Sequence, residues 1–198
     1  MTVPVPATRK AAEPLSYPPG SLVVITGLPG AGKSTLLSRL YALTGTETAP
    51  VQAGGVTVID SMQSRLRWAS ALAWAPKRVR TAVVFATHVR RIRAALRRGE
   101  SVVAHNRGCG PLVLRAFARL ARRAGAGFHL LVLDVPAEAA VAGQHARGRV
   151  VRARTFARHR RHCAALLARA RSGDPAPAAT VQVLDREAAG RLPGIRFE

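Results

Sequence analysis

Cysteine is nearly missing from this sequence: Cys109 and Cys163 are the only two in 198 residues, and they lack paired metal-type spacing. That excludes a disulfide framework and a four-cysteine zinc site, and a reducing cytoplasm is the expected compartment. The His159, His162 and Cys163 cluster has ligating side chains, but Cys163 falls in helical step with Phe156, Leu166 and Ala170 and reads as core. No run of about 18 uncharged apolar residues occurs, so no membrane-spanning helix is expected. The first 20 residues have no apolar centre of a secretory signal, and five prolines between Pro4 and Pro19 oppose a regular element, so 1–20 reads as a loose tail.

Acids and aromatics are also few. Ten acidic residues stand against 31 basic ones, for a net charge of +21, and lysine appears only at positions 10, 33 and 77. Such a balance ordinarily signals a nucleic-acid partner. With only nine aromatic residues, however, no stacking platform for bases is formed. Many arginines take the solvated faces of amphipathic segments, as Arg91, Arg93, Arg97 and Arg98 do opposite Val89, Ile92 and Leu96. The charge therefore reads first as compositional.

What is present is an alternation. Short apolar, β-branched runs at 22–26, 56–60, 101–105, 129–134 and 180–185 read as buried strands. Helical periodicity occupies 33–43, 63–74, 79–98, 111–124, 137–147 and 152–171. This order predicts one α/β domain over 21–198 with a mostly parallel, five-stranded sheet covered on both faces. The polar stretch 44–55 reads as a connection. In open sheets of this kind ligands gather at the carboxyl ends of the strands, here near Thr26, Asp60, His105 and Asp134.

The first strand runs into Gly27-Leu28-Pro29-Gly30-Ala31-Gly32-Lys33-Ser34, followed by Thr35 and a helix. This satisfies G-x-x-x-x-G-K-[ST] in the strand-loop-helix context the motif requires. Backbone N–H groups turned inward by the glycines can cradle phosphate oxygens, with the helix N-terminus adding partial positive charge. Lys33 can then reach the β- and γ-phosphates of a nucleotide, and the Ser34 hydroxyl can complete a Mg²⁺ shell. The glycine spacing is not that of the dinucleotide fingerprint, and no guanine-reading N-K-x-D occurs.

"GLPGAGKSTL", "VIDSMQSRL", "GESVVAHNRG", "LLVLDVPAEAA" and "ARGRVV", in that order between about Ser21 and Asp185, resemble the zeta-toxin-like and polynucleotide-kinase-like P-loop kinases, grouped with small AAA-type ATP-binding proteins. The resemblance implies the P-loop three-layer α/β/α sandwich, Mg²⁺ and ATP, and transfer of the γ-phosphoryl to a hydroxyl. It implies an acid at Asp60 that serves as base or holds the metal, an arginine at Arg65, and a lid near 144–154. In that lid Arg147 and Arg149 would close over the triphosphate, with Arg152 and Arg154 behind them. Asn106 and Arg107 fall on the acceptor side, with His88, Trp68 and Trp74 nearby. A core role is expected for both tryptophans.

The chain departs from the family at one place. The pattern D-x-D-x-x-R has Met62 where a second acid is usual, so Asp60 must act alone, the acceptor must need no base, or catalysis is weak. Three readings stay open: an ATP-dependent kinase with a small-molecule or nucleotide acceptor, a nucleic-acid end kinase or binder, and an ATP-binding regulatory protein with little transferase activity.

Overall fold

A computed structural model describes residues 13–106, 109–146, 148 and 150–198. Its centre is a six-stranded sheet in the order β3-β4-β5-β2-β6-β7, formed by β2 (Leu22–Gly27), β3 (Val51–Ala53), β4 (Val56–Asp60), β5 (Ser101–His105), β6 (Phe128–Leu133) and β7 (Thr180–Leu184). All neighbours are parallel except β3 and β4. Every residue of β2, β4, β5 and β6 is buried, so both faces of these strands are covered.

The expected count of five strands is therefore corrected to six. The added strand, β3, lies in the stretch read as a connection. Gly54 and Gly55 join it to β4 with φ of 56° and 76°, the left-handed pair that a two-residue hairpin turn needs. Strand periodicity is invisible in three half-exposed residues, so only the Gly-Gly pair carries the signal.

The helices are α1 (Lys33–Tyr41), α2 (Ser61–Arg67), α3 (Lys77–Arg97), α4 (Pro111–Arg123), α5 (Ala137–His145), α6 (Ala153–Arg171) and α7 (Arg186–Arg191). Pro111 opens α4, where a missing N–H costs nothing. α2 is shorter than its periodicity suggests and gives way to turns that leave Trp74 81% exposed, against the expected core role. Trp68 is half-buried and donates from Nε1 to Thr87 Oγ1 at 2.8 Å.

Besides the short helix α7, two further strands fall outside the sequence reading. β1 (Leu15–Tyr17) pairs in parallel with β8 (Ile195–Phe197), so part of the segment read as a loose tail is ordered. Leu15 and Tyr17 alternate with exposed Ser16 and join the core, which outweighs the neighbouring prolines. Residues 1–12 of that tail lie outside the described residues.

Cys109 and Cys163 form a disulfide, with Cα atoms 5.2 Å apart, between the loop after β5 and the middle of α6. This corrects the expectation that the two cysteines form no disulfide framework, because a separation of 54 residues leaves no local signal of the pairing. Cys163 is core, as expected, and no group of three metal-ligating side chains occurs among the described residues. No helix among them is long and apolar enough to cross a membrane.

Candidate functional site

The loop from Gly27 to Lys33 sits at the carboxyl end of the central strand. Lys33 is buried and donates from Nζ to Gly27 O at 2.9 Å and to Leu28 O at 2.7 Å, while Leu28 O also accepts from Ala31 N at 3.0 Å. Pro29 O accepts from Gln144 Nε2 at 3.0 Å. Three successive carbonyls are thus held by the protein itself, consistent with a loop whose amides turn the other way. Gly30 has φ of 91°, and a Cβ there would stand 1.9 Å from Ala140 O, so α5 presses on the loop at a point only glycine can occupy.

Ser34 and Thr35, at the start of α1, share one cleft of about 570 Å³ with Ser38, Asp60, Met62 and Leu66. The charged residues that line it, among those described, are Glu47 and Asp60. The Glu47 carboxylate closes its own turn by accepting from Thr44 N and Gly45 N, which holds its pKa below the usual range despite some burial.

Asp60 is the best-defined group in the cleft. It ends β4 in direct register with His105 of β5, so the two side chains leave the sheet on the same face. His105 Nδ1 and Asp60 Oδ1 are 3.0 Å apart, and both residues are buried. Oδ1 also accepts from Met62 N at 2.8 Å, and Gln63 Oε1 returns a bond from Asp60 N at 3.1 Å, forming a capping box that starts α2. Burial alone would push this carboxyl up; the hydrogen bond and charge of His105, with the Met62 N–H, bring it down to about 2. Ser61 Oγ, Met62 N and His105 Nδ1 all approach the same carboxylate oxygen, Oδ1. A carboxylate of this kind is a fixed anion and a weak proton acceptor.

Beneath the pair lies His88 of α3, packed edge-on to Phe117 at 6.3 Å. Its two ring nitrogens are buried and have no hydrogen-bond partner among the described residues. Burial, then the nearby His105, push its pKa down to about 4.

Other expected residues are scattered. Asn106 is buried beside the phosphate loop, its N–H donating to Ile25 O at 3.2 Å. Arg65 is exposed on α2 and does not line the cleft. Asp134 reaches Arg171 at 3.3 Å, and Asp185 caps α7 by accepting from Ala188 N. Arg107, Arg147 and Arg149 lie outside the described residues. Sequence reasoning missed the pairing of His105 with Asp60, although both were expected at strand ends, and it missed Gln144 as a partner of the loop.

The fold and the loop together define a P-loop α/β domain with a polar cleft beside its phosphate site. A family model described as an AAA domain matches residues 22–172, so the chain belongs to that family. No curated protein matches it. Solved structures of similar fold include a protein assigned as a kinase from Chloroflexus aurantiacus, at 15% identity over 84% of this chain and 85% of that one, with a TM-score of 0.54. Another comes from the PezAT toxin–antitoxin system of Streptococcus pneumoniae, at 13% identity, 88% and 71% coverage and a TM-score of 0.56. A third is shikimate kinase from Acinetobacter baumannii, at 18% identity, 88% and 87% coverage and a TM-score of 0.50.

Proposed function

We propose that the protein is a P-loop phosphotransferase, built as a three-layer α/β/α sandwich, that moves the γ-phosphoryl of ATP to a hydroxyl of a small molecule. Within the family the zeta-toxin-like and polynucleotide-kinase-like kinases are the group it most resembles in motif order. The observation that carries the reading is that Ser34 and Thr35, the residues that follow Lys33 in the loop motif, line a single cleft with Asp60.

The donor set fits Mg²⁺: a hydroxyl at Ser34 and a carboxylate oxygen at Asp60 are hard ligands on one cleft wall. When bound, the ion would neutralise charge on the phosphates. Lys33, now on the loop carbonyls, would swing to the β- and γ-phosphates while the loop amides hold the remaining oxygens. Asp60 Oδ2 would orient the acceptor hydroxyl or a water on the metal, with His105 keeping the carboxylate in place. A pKa of about 2 suits that orienting role better than storage of a proton. A loose transition state asks little of a base, which accommodates Met62 in place of an acid. Arg147 and Arg149 are the proposed charge-neutralising arginines of the lid.

Leu43, Met62 and Leu66, together with Glu47, also line the cleft. A cleft of about 570 Å³ with apolar side chains in its lining suits a compact acceptor, which is favoured over a nucleic-acid end. The test is transfer of labelled γ-phosphate with Mg²⁺ to polyols and sugars and, separately, to 5′-hydroxyl oligonucleotides. Label should move to a small acceptor and fall at least about 100-fold in Lys33→Ala. Label moving only to oligonucleotides would reverse the acceptor assignment. A second reading, an ATP-binding protein without transfer, is favoured by Met62 on the cleft wall. It predicts Lys33-dependent ATP binding with no label moved, and transfer gained in Met62→Asp.

A further inference from the structure

We propose that Gln144 is a positioning residue that holds the phosphate loop in its nucleotide-binding shape and ties it to the chain entering α6. This rests on the reading of the loop as a nucleotide site. Three observations carry it.

First, Gln144 is 4% exposed, and each end of its amide is used by a different backbone segment. Nε2 donates to Pro29 O at 3.0 Å, and Oε1 accepts from Val151 N at 2.9 Å. Second, Pro29 O belongs to a run of held carbonyls: those of Gly27 and Leu28 are bound by Lys33. Lys33 is the group that must leave these carbonyls to meet a nucleotide; the Ala31 N bond to Leu28 O then remains within the loop, and the Gln144 bond to Pro29 O holds the loop against α5. Third, α5 approaches the loop too closely for any other arrangement. A Cβ at Gly143 would stand 2.5 Å from Gly30 O, and one at Gly30 would stand 3.0 Å from Gln144 Cγ. Gln144 is therefore clamped against the loop, and its amide has one orientation in which donor and acceptor are both satisfied. Val151 immediately precedes Arg152, the N-cap position of α6, so the same amide ties the start of that helix to the loop.

Two variants separate the bonds. Gln144→Glu keeps the acceptor toward Val151 N and places a carboxylate oxygen against Pro29 O. Gln144→Met keeps the approximate shape and removes both bonds. The measurement is affinity for ADP and ATP by titration calorimetry in the full chain, beside wild type and Lys33→Ala. Both Gln144 variants are expected to bind about tenfold more weakly, the loss of one well-made hydrogen bond. The Gln144→Glu defect, taken as a ratio to wild type at each pH, should shrink as pH falls from 8 to 5. A protonated carboxyl regains a donor for Pro29 O, a recovery that mere loss of packing would not give. A folded variant that binds within twofold of wild type overturns the proposal, as does a Gln144→Glu ratio independent of pH. If neither variant folds, Gln144 is structural only and the proposal falls. Wild type failing to bind nucleotide, or binding it equally well in Lys33→Ala, instead overturns the reading of the site.

Discussion

Replacing His88 should make the protein more tolerant of acid, and the size of the effect follows from its burial. In the folded chain His88 is 2% exposed, has no hydrogen-bond partner at either nitrogen among the described residues, and lies close to His105 and Arg91, whose charges join burial in opposing a proton; Asp60 pulls the other way and loses. Its pKa falls from 6.5 to about 4. The unfolded chain takes up a proton as pH drops through 6.5, and the folded chain does not until about 4. Stability is therefore unaffected by this group above 6.5 and declines between 6.5 and 4, by about 1.4 kcal/mol per pH unit and about 3 kcal/mol in all. Urea unfolding of wild type and His88→Leu at pH 7, 6, 5 and 4.5 reads the contribution of His88, because groups remote from it cancel in the difference. At pH 7 the variant should be as stable as wild type or slightly more so, since leucine leaves no buried nitrogen unsatisfied. By pH 4.5 it should gain about 2 to 3 kcal/mol on wild type. Parallel stability curves for the two proteins would refute the reasoning and mean that His88 finds a partner or solvent.

Gly30→Ala should abolish ATP binding and cost at least about 2 kcal/mol in urea unfolding, because the new methyl meets Ala140 O at 1.9 Å with φ at 91°. Asp60→Asn should lower the transfer rate at least about 100-fold while changing ATP affinity less than about threefold; an equal loss in both would place Asp60 on the nucleotide instead. In the β3–β4 hairpin, Gly54→Val should destabilise by about 1 to 2 kcal/mol and Gly54→Asn by much less, as read from thermal melts, because asparagine tolerates a φ of 56° and a β-branched residue does not.

The parts of this molecule legible in the sequence are those written in consecutive residues. The phosphate loop and the five parallel strands are each a local pattern, and the structure places them within a residue or so of expectation. β3 was hidden because a three-residue edge strand has no period to detect, and β1 because its stability comes from β8, about 180 residues away. The site divides the same way. Lys33, Ser34 and Asp60 follow from motif and strand end, whereas the Asp60–His105 pair needs the register of β4 on β5. Gln144 is one polar residue in an alanine-rich helix, and only the approach of α5 to Gly30 makes it visible.

That approach has a meaning in time as well as in space. The loop sequence is complete once residue 34 has been synthesised, but the surface that shapes it, Ala140, Gly143 and Gln144, comes more than a hundred residues later. The two strands flanking β2 are also late, β5 beginning at Ser101 and β6 at Phe128. A nascent chain therefore carries the phosphate-binding motif through more than a hundred further residues of synthesis without the surface that shapes it. Nucleotide cannot reward an early, partial fold: the ligand becomes a stabilising force only after α5 has docked, when β2, β5 and β6 are already in the sheet.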